Sequence, residues 1–159
     1  MQAALTDMKT VAKTYCELIE NIDPNAPDWL RELSRLLPRV HAAVKALGAP
    51  ECEEGFALAA NLDLRFELYS RLHRLLGELD AYWMEFDVAV DGQHKSGSLA
   101  DDLTDIYCEL KHGLCLLQSA PDCPDQALNG WRQSYRLHWG QHLVDAERHL
   151  YELDTRNLI

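Results

Sequence analysis

The chain has 159 residues, 47% hydrophobic and 26% charged, which suits a single domain spanning residues 1–159 with one sizeable core. Its 15 Lys+Arg against 26 Asp+Glu leave a formal net charge of −11. A field of that sign repels phosphate backbones and anionic lipid heads, so nucleic acid and membrane surfaces are set aside as default partners.

The opening MQAALTDMKTVAK carries an aspartate and two lysines where an export signal needs an apolar core. No stretch approaches about eighteen uninterrupted apolar residues, so no membrane span is expected. Cys16, Cys52, Cys108, Cys115 and Cys123 are odd in number and contain no CxxC pair, as expected of reduced thiols in the cytoplasm.

Every periodic signal is helical and none reads as a strand. Residues 4 to 21 place Leu5, Met8, Val11, Ala12, Tyr15, Leu18 and Ile19 on one stripe. DPNAP ends that helix and Asp28 is placed to cap the next, in which Pro38 predicts a break or kink. Val40 to Leu47 forms a continuation that stops at Gly48 and Pro50. GAPECEEG reads as a loop. A helix from about Asn61 to Leu76 turns Leu64, Leu68, Leu72, Leu75 and Leu76 inward. Asp80 is positioned to cap a short turn, AYWMEF, and DGQHKSGS reads as a surface loop. Ser98 and Asp101 form a variant capping box opening a helix to about Gln118. After the Pro-stiffened SAPDCPDQ, the last helix runs from about Asp125 or Asn129 to Leu153. The expected fold is all-α: a compact antiparallel helical bundle of about five main helices plus short helical turns.

The last helix holds the most suggestive residues. His138, His142, Asp145 and His149 follow one another at steps of four, three and four, so a helix at about 100° per residue carries them on one stripe. Trp131, Tyr135, Ala146, Trp139, Leu150 and Leu143 fill the adjoining apolar arc, which predicts partly buried histidines. Leu137, Val144 and Tyr151 form a second strip, so this helix is expected to pack on two sides, with Gly140 allowing a close approach. Two imidazoles four apart can share a divalent metal, with Asp145 orienting His142. One helix supplies at most two ligands, however, and HEXXH is absent because Trp139 stands where its glutamate would be. The simpler reading is a set of boundary histidines hydrogen-bonded to Asp145 and neighbouring groups.

In SLADDLTDIYCELKHGL, Asp101, Asp105 and Glu109 recur every fourth residue. The wheel turns them away from the apolar arc, and acids near a helix start suit its dipole, so a solvated face is expected. Glu109 and His112 give one Glu-x-x-His without a matching second, and Cys108, His112 and Cys115 form a weak soft-metal stripe. Asp102 borders the apolar arc, and an Asp102–His142 contact is the simplest way to join the two segments.

TYCELIEN, LSRLLP, AYWMEFD, SLADDLTDIYCELKHGL and WRQSYRLHWGQHLVDA, in that order, resemble the bacterial helical family catalogued as Domain of Unknown Function 5063. The Asp-rich helix and His-Trp-Gly-x-His are the specific part. The resemblance implies an all-α domain and no assigned reaction, cofactor or partner.

Two functions compete. One is a cytoplasmic interaction or scaffold module whose acidic surface suits a basic protein partner, with tryptophans that could also form a homodimer face. The other is a metal- or polar-ligand-binding protein using His138, His142 and Asp145, helped by Asp102 or Asp105. No phosphate-cradling glycine loop, nucleophile motif or ordered Ser–His–Asp set is present, so an enzyme is the lesser expectation.

Overall fold

The computed structural model describes residues 2–26, 28–50, 61–87 and 93–159. Helix α1 (Gln2–Glu20) buries Met8, Val11, Ala12, Tyr15 and Ile19, as the spacing requires. Helix α2 (Trp29–Ala46) continues through Pro38 instead of breaking there. Pro38 sits on the exposed face, so the carbonyl it leaves without a donor can meet water. Leu36, Leu37 and Val40 meanwhile stay pinned in the core. Asp28 pairs with Arg31 at 3.4 Å and makes no side-chain cap.

Helix α3 (Leu62–Leu76) starts where the sequence places it, with the Asn61 side chain accepting from the Asp63 and Leu64 amides. Leu72 and Leu76 point inward, whereas Leu64 is 61% exposed, against expectation. The helix stops at Gly77, whose φ of +53° is a conformation that suits glycine. The loop expected at GAPECEEG, Cys52 included, falls mostly on residues outside the described ones; the other four cysteines are free thiols.

A 3-10 turn (Gly77–Leu79) then leads into a two-stranded antiparallel sheet, β1 (Ala81–Asp87) with β2 (Gln93–Ser98). This corrects the expected AYWMEF turn and most of the DGQHKSGS loop. The first strand does alternate, Tyr82 inward and Trp83 outward, the period of a half-buried strand. Its partner is polar and carries no strand signal. Gly97 faces Tyr82 across the ladder, and a Cβ there would lie 2.2 Å from the tyrosine ring.

Asp80 caps the helix that follows rather than the strand. Its carboxylate accepts from the Ala100 amide at 2.6 Å and from the Ser98 hydroxyl, and Ser98 in turn accepts from the Asp101 amide. Helix α4 (Leu99–Ser119) is the central rod, bordered by α1, α3 and the C-terminal helices. Tyr15 ties α1 to it by donating its hydroxyl to the Leu103 carbonyl at 2.9 Å.

Helix α5 (Pro124–Ser134), a π-helical turn (Tyr135–Trp139) and α6 (Gly140–Thr155) form one continuous rod. In the π turn the Gly140 amide donates to the Tyr135 carbonyl five residues back. A Cβ at Gly140 would sit 2.3 Å from that oxygen, so glycine serves the turn itself and not a neighbouring helix. The second strip of the rod is left largely exposed: Leu137, Val144 and Tyr151 are 58%, 45% and 68% exposed, correcting the two-sided expectation. Among the described residues the fold is otherwise the expected all-α bundle of five helical rods, with the small sheet added. Among the described residues no helix is long and apolar enough to cross a membrane.

Candidate metal centre

The seam between α4 and the C-terminal rod is polar. Asp102, Asp105 and Glu109 on α4 and Asp145 and His149 on α6 are all buried, while His138 and His142 are half-buried. The expectation of a solvated acidic face therefore fails for Asp105 and Glu109. Helix α4 is covered on several sides, so its second face meets the imidazoles rather than water.

His142 Nδ1 lies 2.8 Å from Asp102 Oδ1, the contact the sequence suggested. An ionised carboxylate only accepts, so in the neutral ring Nδ1 carries the proton and Nε2 presents a lone pair. That Nε2 stands 3.3 Å from Asp105 Oδ2. His138 repeats the arrangement more loosely, with Nδ1 3.5 Å from Glu109 Oε1 and Nε2 3.7 Å from the same Asp105 oxygen. Its ring meets that of His142 edge to face. One donor atom each from Asp105, His138 and His142 falls within 4.8 Å of the others, the set of three that the described residues bring together.

The surroundings explain how acids survive there. Arg65, on α3, donates from Nε to Asp105 Oδ1 at 2.7 Å and from Nη2 to Asp105 Oδ2 at 2.9 Å and Asp101 Oδ1 at 2.8 Å. The Asp105 hydrogen bond holds the guanidinium charged more firmly than usual. Tyr82, from β1, donates its hydroxyl to Asp102 Oδ2. Burial pushes the Asp102 carboxyl above the ordinary carboxylate range, offset in part by its His142 and Tyr82 hydrogen bonds. Burial raises Glu109 likewise, opposed by the neighbouring Ser134 hydroxyl and His138 ring. For His142, burial favours the neutral ring, but the Asp102 hydrogen bond and the charges of Asp102, Asp105 and Asp101 outweigh it and raise its pKa above 6.5.

Two candidates from the sequence stand apart from this centre. Asp145 accepts from Gln141 at 3.0 Å on its own helix instead of orienting His142; Asp102 does that work from α4. His149 donates Nε2–H to the Leu79 carbonyl at 2.7 Å and stacks on Tyr82. Arg65 and Tyr82 were not legible as participants, since each comes from another element and nothing in the spacing of either points to the acidic helix. Glu109 was visible in the acidic series and assigned to the wrong face.

The sequence profile of the family described as domain of unknown function (DUF5063) matches residues 1–156. The chain belongs to that family. Among curated proteins none matches it. A DUF5063 chain of this kind does have a counterpart among solved structures, the crystal structure of protein BF1032 from Bacteroides fragilis, a structural-genomics target. That structure is similar with a TM-score of 0.74 and 20% identity over 94% of this chain and 91% of that one. At such identity the likeness establishes the fold alone.

Proposed function

We propose that the chain is a metal-binding protein that takes one divalent cation of the zinc type on His138 Nε2, His142 Nε2 and Asp105 Oδ2. The supporting observation is the convergence of two imidazole Nε2 atoms on a single carboxylate oxygen, with the His142 ring held at Nδ1 by Asp102 at 2.8 Å and that of His138 facing Glu109 at 3.5 Å. Metal-bound histidines are habitually oriented in this way. Bonds of about 2.0–2.2 Å around a tetrahedral ion separate its donors by about 3.3–3.6 Å, close to the 3.3 and 3.7 Å seen here. Two lone pairs facing each other repel unless a proton or cation lies between them, and a metal satisfies both. Arg65 is compatible with this role. It can keep its Asp105 Oδ1 and Asp101 bonds while yielding only the one to Oδ2. Three protein ligands leave a coordination position for water or a substrate, the pattern of metal sites that work as Lewis acids or activate water.

Titration of metal-free, untagged protein with Co²⁺, followed by its visible absorption, and with Zn²⁺ by calorimetry tests the proposal. One equivalent per chain is expected, with binding lost in His142→Ala and His138→Ala. Absence of saturable binding in folded wild-type protein would overturn it.

A second reading, the interaction module, draws support from the exposed Leu137, Val144 and Tyr151 strip, which is too regular for scattered surface residues. A protein partner with an apolar ridge and a basic rim would suit both the strip and the net charge of −11. Salt-sensitive capture of such a partner by wild-type protein, lost in Leu137→Glu, tests it; equal capture by both proteins would reject it. The compartment we propose is the bacterial cytoplasm. The free thiols fit it, and burial pushes the Cys16 thiol up to about 12 and so keeps it unreactive.

A further inference from the structure

The β1–β2 ribbon is tied to the helices at its base, where the Asp80 carbonyl accepts from the Leu99 amide at 2.9 Å. Beyond that point Tyr82 is the buried side chain among the described residues of the two strands, and its neighbour Trp83 is exposed. An isolated two-stranded ribbon is at best marginally stable in water, so this one depends on how firmly Tyr82 is seated. The tyrosine ring lies against that of His149 with centroids 4.7 Å apart, and the Arg148 guanidinium stands 5.5 Å from its centre. Its hydroxyl donates to Asp102 Oδ2.

The other oxygen of that carboxylate belongs to the helical seam. Asp102 Oδ1 stands 2.8 Å from His142 Nδ1, so a buried acid has one oxygen on the ribbon and one on the proposed metal centre. Alone, a carboxylate can rotate about its last bond and turn Oδ1 away from the imidazole. The tyrosine hydroxyl opposes that rotation, and His142 keeps its Nε2 toward Asp105 Oδ2. The chain of contacts also runs in reverse. A cation on Nε2 immobilises the imidazole, the imidazole fixes Asp102, and the hydroxyl then meets an acceptor that has already lost its freedom. Ordering steps arranged in this way reinforce one another, and the coupling is equal in both directions.

We propose that Tyr82 is a positioning residue for the metal centre, and that cation binding and seating of the ribbon form one coupled equilibrium through Tyr82, Asp102 and His142. The inference rests on the metal-binding reading and adds to it the element that a bound cation tightens.

Zinc affinity of the untagged full chain, measured by competition with a chromophoric chelator, is compared in wild type, Tyr82→Phe, Asp102→Asn and the double variant, each checked for folding by circular dichroism. Tyr82→Phe keeps the stacked ring and removes only the hydroxyl. It should weaken zinc binding about threefold to tenfold, less than the loss of Asp102 itself because the hydroxyl stands one contact further from the imidazole. In the Asp102→Asn background the same change should have no further effect, which a role in packing alone would not produce. Hydrogen exchange supplies a second readout that needs no variant at Tyr82. Saturating Zn²⁺ should slow exchange of the ladder amides in 81–84 and 95–98 of wild type, and leave them unchanged in His142→Ala. Undiminished affinity in Tyr82→Phe, an equal loss in both backgrounds, or ribbon exchange indifferent to zinc in a wild-type chain that binds it would overturn this inference and leave the metal centre standing. Absence of saturable zinc binding by wild type would instead remove the centre, and the inference with it.

Discussion

Asp102 Oδ1 and His142 Nδ1, 2.8 Å apart, link α4 to α6 across 40 residues of sequence. The bond does two things. It fixes the tautomer that turns Nε2 toward Asp105, and it places a carboxylate behind a ring that would bind metal.

Asp102→Asn preserves the size of the side chain and removes its charge. Metal affinity is expected to fall about 10–100-fold, the usual effect of losing a carboxylate behind a ligating histidine. Competition with a chromophoric chelator measures it. Unchanged affinity would mean that His142 is held by packing alone.

The raised pKa of His142 gives the metal-free protein a defined pH response. A ring that binds its proton more tightly in the folded state adds stability that is complete below about 6.5, the unfolded value. That contribution is lost as pH rises through the raised folded value. His142→Gln removes it, so the difference in urea midpoint between wild type and variant should shrink from pH 5.5 to pH 8.5. Metal binding runs the other way, since it needs the neutral ring, and wild-type affinity should climb across the same interval. A pH-independent difference in midpoint would refute the assignment.

The sequence disclosed the helices well, because Leu33, Leu37 and Val40 or Met8, Tyr15 and Ile19 need only a 3.6-residue period to be read. It also disclosed Asp102 and His142, each on the margin of an apolar arc. The wheel failed at Asp105 and Glu109 because it assumes one buried face per helix, and a central rod such as α4 has more. It failed for Leu137 and Tyr151 for the opposite reason: an apolar strip shows that burial would be favourable but does not supply a neighbour to cover it. The ribbon was missed because β2, QHKSGS, owes its pairing to Tyr82 lying over Gly97, a relationship between strands that neither strand carries alone. The π turn shifts the register of the rod at Tyr135–Trp139, and no residue pattern announces that shift.

Gly113 allows Trp131 to lie against α4, with the indole Nε1–H donating to the Glu109 carbonyl at 3.2 Å. A Cβ at Gly113 would stand 2.1 Å from Trp131 Nε1, whereas one at Gly130 would meet nothing within 4 Å. Gly113→Ala should therefore cost about 1–3 kcal/mol through overpacking. Gly130→Ala should stabilise by up to about 1 kcal/mol through helix propensity. Urea denaturation of the two variants checks the opposite signs. Equal effects would show that the tryptophan can move aside.

Arg65 holds Asp105 by two donors and Asp101 by one, so Arg65→Met leaves a buried carboxylate without its counter-charge. The metal-free variant is expected to lose about 1–3 kcal/mol, the scale of hydrogen bonds to charged groups, since the arginine is itself only partly buried. A divalent cation supplies the same positive charge from the other side of Asp105. Saturating Zn²⁺ should accordingly raise the melting temperature of Arg65→Met more than that of wild type. In His142→Ala combined with Arg65→Met, the rescue should vanish. Thermal denaturation of wild type, Arg65→Met, His142→Ala and the double variant with and without Zn²⁺ reads this directly. Equal zinc shifts in wild type and Arg65→Met would show that the guanidinium and the cation do not share Asp105.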